Sequence, residues 1–194
     1  MIDAIILAAG QGTRMKSNKA KVLHQLGGKS LLQHVIDAIN PLTTSINIVI
    51  GNDAELVKNS INRHSINWVL QEKQLGTGHA VQQAKTSIND KSTCIILYGD
   101  VPFISTNTIK SLIAQSQLTG FSLLSVILDD PSGYGRIVRD KSELIQAIIE
   151  HKDADDDKQK INEINTGIMA IKGSLLKKYL SQLKSNNKQG ELYL

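Results

Sequence analysis

The sequence predicts an α/β protein, a mainly parallel sheet flanked by helices, and three observations predict it. Short, continuously apolar runs recur and end at glycine or another small residue, as strands buried on both faces do. Segments of helical period stand between them, so strand and helix alternate through residues 1–120. Beyond that point the pattern turns strand-rich, which predicts a small second part.

Ile2 to Ala9 is the first strand, closed by Gly10. After a loop, Leu31, Leu32, Val35, Ile36 and Ile39 fall on one face of a helix that Pro41 stops. Ile46 to Ile50 is the next strand, closed by Gly51. Asp53 is placed to cap a helix running to about Ile61, and Asn67 to Gln71 is a third strand. Gln74-Leu75-Gly76-Thr77-Gly78-His79-Ala80 is a glycine-bearing loop that leads into a helix through about Ala84. Cys94 to Tyr98 is a strongly apolar strand ending in Gly99-Asp100, and Ser105 to Gln115 is helical with Ile109, Leu112 and Ile113 inward. In a Rossmann-like sheet of this kind ligands sit at the carboxyl ends of the strands, where Gly10, Gln71 and Asp100 all lie.

Phe121 to Leu128 opens the strand-rich part. Asp129 to Gly135 is a turn cluster, and Arg136 to Arg139 and Leu144 to Ile149 are short strands. The acidic run Asp153 to Asp157 reads as a solvated loop, and Ile161 to Ile171 returns as a strand. Ser174 then caps an amphipathic helix with Leu175, Leu176, Tyr179, Leu180 and Leu183 on one stripe. With 194 residues, 41% of them hydrophobic, and no repeat or low-complexity linker, the chain reads as one domain in two parts, 1–120 and 121–194.

A net charge of +4 and a pI near 9.1 would permit nucleic-acid binding, but the cations are dispersed and the longest basic run is Lys177-Lys178. A surface suited to phosphorylated small molecules is the better reading. The single Cys94 lies inside an apolar run, which excludes an internal disulfide framework and points to a cytoplasmic protein. Asp3 stands where a secretory signal would be basic, and no run approaches the roughly eighteen apolar residues of a membrane span, so no membrane insertion is expected.

The organising stretch is Ile5-Ile6-Leu7-Ala8-Ala9-Gly10-Gln11-Gly12-Thr13-Arg14-Met15-Lys16, followed by Lys21-Val22-Leu23-His24. A Gly-x-Gly turn with cations behind it lets bare N–H groups and positive side chains converge on one anion, as in a nucleotide phosphate cradle. Two familiar cradles come close. A dinucleotide fingerprint and a Walker A loop begun at Gly10 both require glycine where Met15 stands. What remains, A-A-G-x-G-T-R-M with Lys21-Val22-Leu23-His24 and Gly28-Lys29 behind it, resembles the sugar-phosphate nucleotidyltransferases, and most nearly the bacterial N-acetylglucosamine-1-phosphate uridyltransferases.

Further blocks in family order carry the resemblance along nearly the whole chain: Q-L-G-T-G-H-A from Gln74, G-D-x-P from Gly99, Gly133-Tyr134-Gly135-Arg136, Glu150-His151-Lys152-Asp153, Asn165-Thr166-Gly167 and Gln189-Gly190-Glu191-Leu192-Tyr193. It implies a nucleotide-diphospho-sugar transferase type of fold and the transfer of a uridylyl group from UTP to N-acetylglucosamine 1-phosphate. The products would be UDP-N-acetylglucosamine, a precursor of peptidoglycan and lipopolysaccharide, and pyrophosphate. The attacking phosphate is already ionised at pH 7, so the protein's task is charge neutralisation and alignment, with no general base.

By the same resemblance Arg14 and Lys21 are the catalytic cations, and Leu7, Ala8, Ala9, Gly10, Gln71, Gly76 and Thr77 bind the nucleotide. Tyr98, Gly135, Glu150 and Asn165 form the sugar side, with Glu191 and Tyr193 beside it. Alone, Gln71 reads as a polar strand end; within the block it is a uracil contact whose amide both donates and accepts. His79 reads as part of a helix start. Asp100 is suited to hold Mg²⁺ against phosphates and equally to form a turn; the resemblance implies the metal role. The family usually has proline before the lysine, and Ala20 stands there, which removes a rigid φ just ahead of Lys21.

In the family this domain continues, supplies an asparagine to the metal, and is followed by a left-handed β-helix that acetylates glucosamine 1-phosphate and forms a homotrimer. Ending at Leu194, the chain reads as a truncated domain, expected to be monomeric. Two alternatives stay open on sequence: a nucleotidyltransferase for another sugar 1-phosphate or base, and a nucleotide-binding fragment without turnover.

Overall fold

The structure is a computed structural model that describes residues 1–10, 12, 15, 17, 19–51, 53–61, 65–185, 187 and 189–194. The chain begins with β1 (Ile2–Ala8), a 3₁₀ turn (Lys21–Leu23) and a small hairpin of β2 (Gln25–Leu26) and β3 (Lys29–Ser30). Then follow α1 (Leu31–Ile39), β4 (Ser45–Ile50), α2 (Ala54–Ser60), β5 (Ile66–Leu70), α3 (Thr77–Gln83) and β6 (Thr93–Tyr98). The second half consists of α4 (Thr106–Thr119), β7 (Phe121–Ile127), β8 (Arg136–Arg139), β9 (Ile145–Ile149), α5 (Asp156–Gln159), β10 (Glu163–Lys172) and α6 (Gly173–Leu180).

Eight strands of the described residues form one sheet in the order β5-β4-β1-β6-β10-β8-β9, with β7 also paired to β10. The pairs among β5, β4, β1 and β6 are parallel. Every pair made by β10 is antiparallel; its Met169 stands opposite Ile96 of β6 and Leu123 of β7. The strands of the second half thus extend the sheet of the first. From β1 the chain steps one way to β4 and the other way to β6, so a crevice opens where the carboxyl ends of β1 and β6 diverge, the switch point at which open α/β sheets take ligands.

Alternation along each strand divides the core between the two faces of the sheet. Ala4, Ile6 and Ala8 of β1 pack with Leu32, Val35, Ile36 and Ile39 of α1, Val57 of α2 and Ile109, Leu112 and Ile113 of α4. Ile5 and Leu7 pack on the opposite face with Ala80 and Val81 of α3 and Leu176 and Leu180 of α6. Ile5, Ile6, Leu32 and Ile36 are wholly buried, each worth about 1.5–3 kcal/mol relative to exposure.

Local chemistry sets the boundaries, and in places it corrects the sequence reading. Ser30 caps α1 by accepting from Gln33 N at 3.2 Å, and Ser105 caps α4 through Thr108 N at 3.0 Å. α4 runs four residues further than the pattern suggested, to Thr119, and Gly120 after it, with a φ of 85°, provides the left-handed stop. Asp53 occupies the N-cap of α2 but its side chain makes no capping bond. The acidic run at 153–157 is not all loop: Asp155 accepts from Lys158 N at 2.9 Å and starts α5, with Asp156 and Asp157 in its first turn, where the helix dipole favours negative charge. α6 begins at Gly173 with Lys172 as N-cap, so Ser174 lies inside its first turn.

Candidate active site

Adjacent strand ends define the site. Leu7 of β1 stands opposite Tyr98 of β6, and Gly99 N donates to Leu7 O at 2.9 Å, which locks Ala8 to Gly10 beside Asp100. Lys21 is brought in by the 3₁₀ turn Lys21–Leu23, anchored by the buried Val22 and Leu23. Two glycines make room for that turn. A Cβ on Gly99 would meet Leu32 Cδ1 at 3.1 Å and Val22 Cγ1 at 3.2 Å; one on Gly12, whose φ is +61°, would stand 2.8 Å from Lys21 Cβ. So placed, Lys21 Nζ forms an ion pair with Asp100 Oδ2.

The second wall is the loop after β5. Gln71 N donates to Ile50 O at 2.8 Å, and its side chain is only 3% exposed. The side-chain Nε2 lies 3.3 Å from Gly76 O and 3.0 Å from His79 Nδ1. Gly76 has φ +101°, and a Cβ there would meet Leu192 O at 2.5 Å. Residues 191–194 pack along this loop, with Leu192 N donating to Leu75 O at 2.8 Å and Gly78 N to Leu192 O at 2.8 Å.

Together these walls enclose a cleft of about 250 Å³. It brings together the sequence-predicted Leu7, Ala8, Ala9, Gly10, Lys21, Gln71, Gly76, Thr77, Tyr98 and Asp100, and Glu191 with them. Burial pushes the Tyr98 hydroxyl up to about 12; Thr77, hydrogen-bonded to it, pulls the other way, and the charges of Asp100 and Glu150 add to the rise.

Gly135, Glu150 and Asn165 do not line this cleft and lie behind Tyr98. Asn165 N donates to Gly135 O at 2.8 Å, and Asn165 Oδ1 accepts from Gly167 N at 2.8 Å. Gly167, at φ +75°, lies directly against the Tyr98 ring, so no side chain fits there. A Cβ on Gly135 would stand 2.8 Å from Glu150 Oε1. Burial first, then repulsion from Asp153 and Glu191, raises the Glu150 carboxyl above its ordinary value. Tyr193 Oη accepts from Gln189 Nε2 at 2.6 Å. Arg14 lies outside the described residues.

Val22, Gln74 and Ala80 also line the cleft, and the sequence reading did not select them. Gln74 had a signal, a second amide three residues beyond Gln71 in the same loop. Val22 and Ala80 had none, being indistinguishable from ordinary core residues. Among the described residues no helix is long and apolar enough to cross a membrane.

Residues 4–160 match the family model described as the MobA-like NTP transferase domain. Two proteins named "Bifunctional protein GlmU" are similar along the whole chain. The one from Ruthia magnifica subsp. Calyptogena magnifica and the one from Vesicomyosocius okutanii subsp. Calyptogena okutanii are each 54% identical over 193 residues. The chain spans 42% and 43% of their lengths. Among solved structures, a UDP-glucose pyrophosphorylase complexed with UDP-glucose superposes with a TM-score of 0.79 at 19% identity, covering 100% of this chain and 84% of that one. HddC from Yersinia pseudotuberculosis, complexed with GMP-PN, superposes with a TM-score of 0.71 at 20% identity, covering 100% and 83%. These two likenesses show a shared fold.

Proposed function

The chain belongs to the MobA-like NTP transferase domain family, and from that premise we propose that it transfers a uridylyl group from UTP to N-acetylglucosamine 1-phosphate, giving UDP-N-acetylglucosamine and pyrophosphate. The observation that carries this reading is the convergence of three chemistries in one cleft: the bare backbone at Ala8 to Gly10, the Lys21–Asp100 pair, and the buried amide of Gln71. Backbone and cation suit a triphosphate, and the amide suits the edge of a pyrimidine.

In the proposed reaction an oxygen of the sugar phosphate attacks the α-phosphorus of UTP, the bond from that phosphorus to the β-phosphate bridging oxygen breaks, and pyrophosphate departs with the electron pair. Lys21 offsets the charge that builds on the α-phosphate oxygens, and Gln71 holds the base so that the reacting atoms stay in line. Tyr98 and the Gly135, Glu150 and Asn165 cluster behind it take the sugar side.

Asp100 is the residue that would hold Mg²⁺. The carboxylates lining the cleft are Asp100 and Glu191, and no group of three His, Cys, Asp or Glu side chains among the described residues could hold a metal. That donor set fits an ion that takes one or two carboxylates and completes its shell with substrate phosphates and water. When bound, Mg²⁺ supplies charge neutralisation on the phosphates.

The test is pyrophosphate release with UTP and N-acetylglucosamine 1-phosphate, compared with CTP, dTTP and GTP and with other sugar 1-phosphates. Release confined to the UTP and N-acetylglucosamine 1-phosphate pair is expected. Faster release with another nucleotide or sugar would reassign the substrate, and UTP binding without release would make the chain a nucleotide-binding module.

A further inference from the structure

We propose that Arg136 is a positioning residue for the sugar: its buried guanidinium ties together the two chain segments that carry Gly135 and Glu150, beyond the point where the strand ladder holds them. The inference rests on the nucleotide-sugar reading given above and adds to it a residue set behind the cleft.

The placement follows from register. Arg136 of β8 stands opposite Ile149 of β9 and Ile164 of β10. One row further out, antiparallel pairing brings Gly135 opposite Glu150 and Asn165, the three residues assigned to the sugar side with Tyr98. The contacts agree: Asn165 N donates to Gly135 O at 2.8 Å, and Glu150 Oε1 lies 2.8 Å from where a Gly135 Cβ would stand. Yet β8 begins at Arg136 and β9 ends at Ile149, so the sugar-side row lies just past both. Among the described residues no backbone hydrogen bond outside the regular elements joins 134–135 to 150–151.

The Arg136 side chain spans that gap. Its Nη1 donates to Tyr134 O, one residue before Gly135, and its Nη2 lies 3.4 Å from His151 Nδ1, one residue after Glu150. A guanidinium only donates, so the imidazole nitrogen accepts. Nη2 also reaches Gln159 O at 3.4 Å, and Gln159 Nε2 donates to Ala154 O at 3.1 Å, in the turn that Asp153 N and Ala154 N close on Glu150 O. One planar fork thus bonds on both sides of the row, which the point charge of a lysine is not shaped to do.

This is neither a solvated nor a paired arginine. Arg136 is 1% exposed, its Nε is buried with no partner, and no carboxylate among the described residues forms an ion pair with it. Asp130 feels its charge from an exposed position without pairing. Burying an uncompensated cation is unfavourable, and an apolar side chain would avoid that desolvation. The bridge between Tyr134 and His151 is what an apolar side chain would lack.

The experiment measures Kd for UTP, UDP, UDP-N-acetylglucosamine and UDP-glucose by calorimetry for the wild type, Arg136→Met and Arg136→Lys. Wild type is expected to bind UDP-N-acetylglucosamine more tightly than UDP. In Arg136→Met that gain should fall by about tenfold, the size of one hydrogen bond lost to the sugar. UTP and UDP should keep their wild-type Kd, because Tyr134, His151 and Gln159 do not line the nucleotide cleft. Arg136→Lys, which keeps the charge without the fork, should lose most of the gain too, and it is read in the same way should Arg136→Met fail to fold. Equal weakening of all four ligands would mark general damage and overturn the proposal, as would a sugar gain left intact in either variant. A wild type with no sugar gain sinks both this proposal and the reading beneath it. One that gains with UDP-glucose instead reassigns the sugar, and Arg136 is then judged on that ligand by the same outcomes.

Discussion

Lys21 and Asp100 face each other as an ion pair in the cleft, the lysine stem resting on Gly12 and the neighbouring Val22 on Gly99. Cation and carboxylate are therefore held by packing behind them, and each can exchange its partner for a ligand group without the turn moving.

The first prediction follows from that arrangement. The pair is partly exposed, at 38% and 24%, and such pairs contribute about 0–1 kcal/mol to stability. Lys21→Ala should leave the melting temperature nearly unchanged while lowering the proposed uridylyl transfer by about 10²- to 10³-fold, the range for losing one group that stabilises transition-state charge. Wild-type turnover in this variant would remove Lys21 from the chemistry.

Glu150 supplies a pH dependence. Its carboxyl is raised above the ordinary 4.5 because burial, Asp153 and Glu191 all disfavour the charged form. A raised carboxyl favours folding while both states are protonated, and this advantage is lost as pH rises through the folded value. Glu150→Gln should therefore melt at a higher temperature than wild type at pH 7.5, and the gain should shrink as pH falls below about 4.5. Melting curves of the two proteins at both pH values measure it, and a gain independent of pH would show that charge is not its cause.

Ala20 stands where the resembling family has proline, and its backbone at φ −49° and ψ 133° lies beside the basin proline occupies. Among the described residues its N–H donates to no backbone carbonyl outside the regular elements. Ala20→Pro should raise stability by about 0.4–1 kcal/mol through the unfolded chain. Denaturant unfolding tests this, and a destabilised variant would mean that the segment leading into Lys21 cannot take the ring.

Much of the parallel half was legible in the sequence because strands buried on both faces have no polar side to show; the runs at Ile2, Ile46 and Cys94 announced themselves, and Gly10, Gly51 and Asp100 mark where they end. The place of β10 was not legible. An apolar run carries no sign of direction or neighbour, and Ile164 to Ile171 gave no hint of lying antiparallel beside β6 with β7 along its other edge. The site divides in the same way. Residues on strand ends could be selected from sequence. Val22 could not, since its role is to seat Lys21 by filling the space over Gly99, a relation visible only once the chain is folded. His79 read as a helix start, which it is; its contact with Gln71 depends on the turn at Gly76 bringing strand end and helix together.

The segment at 191–194 that lies along the loop after β5 joins the far end of the chain to the wall of the cleft. The parallel pairs already close long connections, from Asp3 to Ser45 and from Ile2 to Thr93, and the entropy cost of closure grows only slowly with length. The bonds from Gly78 to Leu192 and from Leu192 to Leu75 close a loop of well over a hundred residues. The wall beside Gln71 is therefore finished by the far end of the chain: without residues 191–194 the turn at Ala8 to Gly10 would keep its own neighbours, while Leu75 and Gly78 would lose theirs.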